Sequence, residues 1–229
     1  MISIEEALER ILSYVDVLEV EEAPLLRALG QVLAEDVRSP FDIPPLDNTA
    51  MDGYAVRAED TRGASPVRPV ELEVVGEVAA GYVFPGQVLP GTAVRIMTGA
   101  PIPAGADAVV PFEDTDEPFQ APPEGARRLR RRQRVRIFRQ AAPGDNIRRA
   151  GEDIARGQRV LRAGSVLRPA DIAVLAALGR ATVRVVRRPV VAIVSTGDEL
   201  VPVGRPKPEN KIYDSNAHGL AALVLRYGC

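Results

Sequence analysis

From Pro40 to Pro143 the chain carries short β-prone runs cut apart by proline, glycine and aspartate, with helical periodicity on either side of that stretch. This contrast limits the fold more than any other feature. The runs are Val70 to Val78, Ala93 to Met97, Ala108 to Phe112 and Arg134 to Phe138, and they predict a compact β domain. The 20 prolines and 19 glycines suit many turns between short strands. Upstream, Ser3 and Glu6 have the spacing of a capping box, and Ile4, Ala7, Leu8, Ile11, Leu12 and Val15 form one apolar stripe of a first helix. A shorter helical piece near Leu25 to Leu29 stops at Gly30, and Val32 to Val37 reads as extended. Downstream, Pro169 suits the first position of a second helix, Asp171 the positive end of its dipole, and Gly179 its C′ position. Ile172, Leu175, Ala176 and Leu178 supply its buried side. The expectation is that this helix rejoins the first, with the β domain inserted between them.

The last segment reads as the opening of an α/β unit. Val190 to Val194 is an unbroken apolar run of strand length, as in a parallel strand covered on both faces. Ser195 to Glu199 follows at its carboxyl end, where open α/β sheets place ligands. Asn216 is the expected cap of a third helix, with Leu220, Leu223, Val224 and Tyr227 as its apolar residues and Gly228 closing it. One strand and one helix cannot cover both faces of a sheet, and about 40 residues rarely hold a core unaided. The expectation is therefore a piece of a longer protein, with residues after about Pro189 poorly held.

Charge and composition exclude several classes. With 46% hydrophobic and 26% charged residues the chain is globular rather than disordered. Its net charge of -2 does not suggest a nucleic-acid binder. The basic cluster Arg127, Arg128, Arg130, Arg131, Arg132, Arg134, Arg136 and Arg139 follows acidic Glu113, Asp114, Asp116 and Glu117 without a glycine-aromatic motif, so it reads as a solvated hairpin. Cys229 is the only cysteine, which rules out an internal disulfide and fits a reducing compartment. No apolar stretch approaches the roughly 20 residues a membrane helix needs. Met1 to Glu6 lacks the basic region and apolar core of a signal peptide. A cytoplasmic protein is expected.

Four polar clusters are candidates for chemistry: Asp47 to Tyr54, Thr98 to Pro101, Gly151 to Asp153 and Ser195 to Glu199. Aspartate, asparagine, glycine and threonine are also ordinary turn residues, so each cluster taken singly reads first as structural. His218 is the only histidine and has no companions for a zinc site. Neither a phosphate loop with a following lysine nor a nucleophile elbow is present. What remains are oxygen ligands: Asp52, Asp153, Asp198, Glu199 and Asp214. Such sites suit magnesium, with substrate phosphates completing the shell. The residues by themselves go no further than a candidate magnesium–phosphate site.

Five strings, in order, resemble the molybdopterin molybdenumtransferases, the family that includes the enzyme domain of gephyrin. They are Asp47 to Ala55, Arg95 to Pro101, Asn146 to Ile154, Ser195 to Leu200 and Ile212 to Asn216, and they span nearly the whole chain. The resemblance implies an α+β multidomain fold: a split helical domain with an inserted β domain, followed by the start of a molybdopterin-binding α/β domain. The boundaries are then 1–45 plus 144–182, 46–143, and 183–229 with the last domain incomplete. It also implies a homodimer, magnesium, and adenylylated molybdopterin and molybdate as substrates, with molybdopterin adenylyltransferase as pathway neighbour. Molybdenum joins the dithiolene as AMP is released. Position by position, Asp52, Thr98, Asp153 and Glu199 would be catalytic, with Asp52 and Thr98 projecting toward the other subunit's α/β domain. Ser195, Thr196, Gly197, Asp214, Ser215 and Asn216 would bind the pterin end, and Asp52 is the candidate for holding the metal. The family's further acidic positions, its glycine-serine loop and its basic molybdate-holding residues are not in these 229 residues, so the chain by itself is expected to be inactive. Two other readings remain. One is a non-catalytic scaffold or dimerisation module; the other is a simple molybdopterin-binding protein, which the inserted β domain disfavours.

Overall fold

The computed structural model describes residues 2–117 and 133–229. Arg127, Arg128, Arg130, Arg131 and Arg132 of the basic cluster lie outside the described residues. Mixed sheets and few helices make up the fold, divided into two compact units. One contains Met1–Arg38 and Arg159–Cys229, the other Ser39–Gln158. The outer unit opens with α1 (Ile4–Leu12), β1 (Val20–Pro24) and β2 (Val37–Arg38). The inserted unit holds β3 (Asn48–Thr49), β4 (Gly53–Val56), β5 (Val70–Val78), β6 (Thr92–Ile96), β7 (Ala108–Pro111), β8 (Arg134–Ile137) and β9 (Ile147–Arg148). The outer unit resumes with β10 (Arg159–Leu161), α2 (Pro169–Ala177), β11 (Thr182–Val186), β12 (Leu200–Val201), β13 (Ile212–Tyr213) and α3 (Ser215–Arg226).

A five-stranded sheet, in the order β7-β4-β6-β5-β8, forms the inserted unit's core. It runs antiparallel except for the parallel β5–β6 pair. Alternation along the strands sends side chains to two faces. Tyr54, Val56, Leu72, Val110, Val135 and Ile137 pack on one face; Ala55, Val78, Val94, Ile96 and Val109 pack on the other. All four residues of β4 are therefore buried. The unit begins at Ser39 and ends at Gln158, wider than the expected 46–143, because the flanking segments pair with each other. The Ser39 amide donates to the Gln158 carbonyl at 3.0 Å, and that of Ile43 to Ile154 at 2.8 Å.

In the outer unit the two separated segments meet through strands. β1 pairs antiparallel with β11, Val20 opposite Val186 through Pro24 opposite Thr182, and β2 pairs with β10. The helix-to-helix rejoining expected from periodicity is thus replaced by strand pairing. α1 has its expected cap, with the Ser3 hydroxyl accepting from the Glu6 amide at 3.1 Å, but it buries none of its residues. α2 starts at Pro169, its first turn is closed by Asp171 accepting from the Arg168 amide at 2.8 Å, and Gly179 follows with φ +72°. That left-handed turn is open to glycine at low cost. Ile172, Leu175 and Leu178 are buried as expected, whereas Ala176 is exposed.

The expected strand at Val190 to Val194 does not form. Val190 and Val194 are 90% and 81% exposed, and no described strand lies beside them. An apolar run becomes a strand only where a neighbour satisfies its backbone donors and acceptors. The α/β segment instead shows β12 parallel to β13, followed by α3. The cap of α3 is Asp214, which accepts from the Ala217 amide at 3.0 Å, and not Asn216, which sits inside the helix. No described helix is long and apolar enough to cross a membrane.

Candidate active site

The first group of polar residues is built by the close approach of β4 to its neighbours. Gly53 faces Ile96 of β6 on one side and Pro111 of β7 on the other. A Cβ at Gly53 would fall on the Val110 carbonyl oxygen and lie 2.9 Å from the Pro111 Cα, so glycine lets the strands close up here. Antiparallel register then brings the residue before β4, Asp52, beside the segment after β6, which carries Thr98. The Thr98 amide and hydroxyl both donate to Asp52 Oδ1, each at 2.7 Å. The Phe112 amide donates to the Asp52 carbonyl at 3.2 Å. Thr49 closes the loop from below: its hydroxyl donates to the Met51 carbonyl at 2.6 Å. Two of the four residues expected to be catalytic are therefore in direct contact, 46 positions apart in sequence.

Electrostatics keep Asp52 charged. The Thr98 amide and then the Thr98 hydroxyl hold its carboxyl below the usual carboxylate range against the opposing effect of burial, and the charge of Arg95 adds to them. Oδ1 takes both of these hydrogen bonds, and Oδ2 has no hydrogen-bond partner among the described residues. An ionised carboxylate with one oxygen fixed and the other available can offer at most one ligand to a cation. Among the described residues no group of three or more acidic, histidine or cysteine side chains could hold a metal without help. The donor set therefore fits magnesium only in the form that draws most of its shell from water and substrate phosphates.

Asp153, expected to be catalytic, is paired with an arginine. It accepts from the Arg148 guanidinium at 2.5 Å, and Glu152 lies 3.8 Å from the same guanidinium. Arg148 is on β9 opposite Asn48 of β3, so Asp153 steadies the strand that leads into the Asp52 loop. Asp47 fastens the same region by accepting from the Ala150 amide at 2.8 Å and from Arg149 at 2.6 Å.

The second group lies in the outer unit, where a cleft of about 290 Å³ is lined by Ser195, Thr196, Glu199, Asp214, Ser215 and Asn216. The polar turn after Val194 and the start of α3 are thus brought together. Gly197 has φ +146°, and a Cβ there would stand 2.5 Å from the Glu199 Oε2, so the carboxylate folds back over the glycine. A hydrogen bond from Ser195, and then the Ala217 amide, hold the Asp214 carboxyl below its ordinary value despite burial. Hydroxyls, amides at a helix N-terminus and two carboxylates make this cleft suited to a polar ligand with many donors and acceptors.

Residues 2–179 match the family model described as the MoeA N-terminal region (domain I and II). The chain belongs to this family. Molybdopterin molybdenumtransferase 2 of Mycobacterium tuberculosis is 47% identical over 201 residues, covering 88% of this chain and 46% of that protein. Molybdopterin molybdenumtransferase of Bacillus subtilis is 40% identical over 227 residues, 99% of this chain and 51% of that protein. A solved structure of the molybdopterin biosynthesis moeA protein from Pyrococcus horikoshii OT3 superposes with a TM-score of 0.82 at 40% identity, covering 99% of this chain and 57% of its own. The chain spans about half the length of the curated relatives it matches. The MoeA N-terminal match includes Asp52, Thr98 and Asp153 but stops before Ser195. The Ser195 to Asn216 cleft falls in the part shared with the Bacillus protein.

Three residues with no local sequence signal for it pack around this MoeA-like site: Arg95, Phe112 and Glu117. Arg95 stood in one of the family strings, yet nothing local in the sequence pairs it with a glutamate 22 positions away.

Depressed carboxyl groups make the fold sensitive to acid. Asp47 is held low by the Ala150 amide first and Arg149 second, and Asp52 and Asp214 are lowered as described. A carboxylate lowered on folding contributes stability above its unfolded value of about 3.9 and loses it as pH falls through the folded value. The unfolding midpoint should be flat from neutral pH to about 5 and should drop below about 4. An Asp47→Asn chain should drop less. A decline in thermal melts that begins above pH 6 would speak against this assignment.

Proposed function

We propose that this chain provides the N-terminal part of a molybdopterin molybdenumtransferase, which inserts molybdenum from molybdate into adenylylated molybdopterin and releases AMP. The observation that carries the reading is the Asp52–Thr98 pair, with one carboxylate oxygen fixed and the other open, in a chain 47% identical to an enzyme of that name. The outer unit is read as the split helical domain followed by the start of the molybdopterin-binding α/β domain, and the inserted unit as the β domain.

Cleavage of the adenylate breaks a phosphoanhydride by attack of water, with AMP as leaving group. Asp52 is the residue placed to hold a magnesium ion, which when bound would neutralise phosphate charge and orient water. Thr98 fixes the direction of that carboxylate. Asp153, through Arg148, steadies β9 against β3 and so the entry to the Asp52 loop. In the cleft, Ser195, Thr196 and the Asp214–Ser215–Asn216 turn hold the pterin end, Gly197 leaves space for the backbone turn, and Glu199 supplies the acid–base group. The substrate comes from a molybdopterin adenylyltransferase, and the reaction takes place in the cytoplasm. A homodimer is the proposed assembly; Ile4, Leu8, Ile11 and Leu12 of α1 are 55% exposed or more, a stripe suited to cover by a second subunit.

Genetic complementation tests the function. A host lacking its own molybdenumtransferase should regain molybdenum-dependent enzyme activity when given a full-length protein carrying this sequence. Absence of recovery with the protein present and folded would overturn the reading.

A further inference from the structure

Arg95 lies opposite Tyr54 in the β4–β6 register, so both side chains share one face of the sheet. Its Nε donates to Glu117 Oε1 at 3.1 Å and its Nη2 forms an ion pair with the same oxygen at 3.0 Å, while Tyr54 donates its hydroxyl to the other oxygen of that carboxylate. Nη1 reaches Glu77 Oε1 at 2.7 Å and lies 3.5 Å from the Met97 sulfur. The guanidinium carbon sits 4.7 Å above the centre of the Phe112 ring, which meets Tyr54 edge-on with centroids 5.6 Å apart.

Each of these contacts leads back to the Asp52–Thr98 pair. Met97 immediately precedes Thr98, Tyr54 is two residues past Asp52, and Phe112 donates its amide to the Asp52 carbonyl. An apolar residue could hold the two strands together at lower desolvation cost than a guanidinium whose side chain is only 18% exposed. What a planar fork adds is direction: it fixes one carboxylate, one ring and one strand end at set angles. Its positive charge also favours the ionised form of Asp52.

We propose that Arg95 is a positioning residue for the reaction, clamping Glu117, Tyr54 and Phe112 so that Asp52 and Thr98 are held in their hydrogen-bonded geometry. The proposal rests on Asp52 acting at the phosphate end of the substrate, as proposed above. Glu117 is its necessary partner, because it takes hydrogen bonds from Arg95 and Tyr54 at once.

The test compares Arg95→Met, Arg95→Lys and Glu117→Gln in a full-length protein carrying this sequence, each with and without Asp52→Asn. Arg95→Met should raise amide exchange at Thr98 about tenfold while Ala55 and Val94 stay protected, and should lower kcat for AMP release about tenfold with little change in KM. Lysine should restore part of the rate. In the Asp52→Asn background neither Arg95→Met nor Glu117→Gln should cost anything more, since the group they position is already disabled. Equal losses in both backgrounds would reduce Arg95 to a structural role and overturn the proposal. So would normal Thr98 exchange with normal kcat in Glu117→Gln, even if Arg95→Met fails to fold. Should Asp52→Asn itself keep near-normal turnover, the catalytic reading of Asp52 fails, and Thr98 exchange still decides whether Arg95 holds the pair.

Discussion

An Asp52→Asn substitution in a full-length protein carrying this sequence should slow AMP release by about 100-fold or more, corresponding to about 2.7 kcal/mol of barrier. Asparagine keeps the size of the side chain and can still accept from the Thr98 amide and hydroxyl through its carbonyl oxygen, so the loop should survive. What disappears is the negative charge and the open Oδ2, which becomes an amide nitrogen that repels a cation. The unfolding midpoint should therefore move little while turnover falls, and raising magnesium should recover part of the rate. Thr98→Val should act in the same direction with a smaller effect, because the amide of residue 98 still holds Oδ1. Unchanged turnover in Asp52→Asn would leave Asp52 as a turn residue only, since asparagine makes the same local turn contacts.

Gly53→Ala should strongly destabilise the inserted unit. The added methyl has no direction in which to yield: the Val110 oxygen and the Pro111 Cα are backbone atoms of β7, and β6 closes the other side. Relief requires β4 and β7 to separate, which disrupts ladder hydrogen bonds from Gly53 to Val56 and opens the packing of buried Val109 and Val110. A cost on the order of 3 kcal/mol is expected, a large share of the roughly 5–15 kcal/mol that holds a domain folded. Thermal or urea unfolding would measure it. A melt within a degree or two of the unchanged chain would mean that β4 and β7 are not packed as described. Gly63→Ala is a useful contrast. Nothing lies within 4 Å of its Cβ position, so only its positive φ of +74° would be strained.

The sequence made legible what local interactions decide. β5 runs from Val70 to Val78 as its β-branched alternation indicates, and α2 has its boundaries at Pro169 and Gly179 because a missing amide and a left-handed turn are properties of single residues. The α1 cap likewise needs only Ser3 and Glu6. Elements that depend on distant partners carry no such local signal. Val190 to Val194 has the composition of a buried strand but no strand pairs with it among the described residues, and the joining of the outer unit falls to β1 and β11 rather than to two helices. At α3 the expected cap, Asn216, lies inside the helix, and Asp214 two residues earlier caps it instead.

The candidate site follows the same division. Its polar strings could be found because aspartate, threonine and glycine cluster in them, and the structure brings Asp52 to Thr98 and gathers Ser195, Thr196, Glu199, Asp214, Ser215 and Asn216 around one cleft. The pairing of Asp153 with Arg148 and the clamp around Arg95 were hidden. They arise from cross-strand register, which places residues together without any trace in their sequence spacing.

Purified full-length protein carrying this sequence, supplied with adenylylated molybdopterin, molybdate and magnesium, should release AMP and molybdenum-loaded pterin in equal amounts. Quantifying both products in one reaction is the measurement that decides whether this chain serves a molybdenumtransferase. Equal yields that fall together in the Asp52→Asn variant are the predicted result; AMP release without molybdenum on the pterin, or no AMP at all from folded protein, would contradict it.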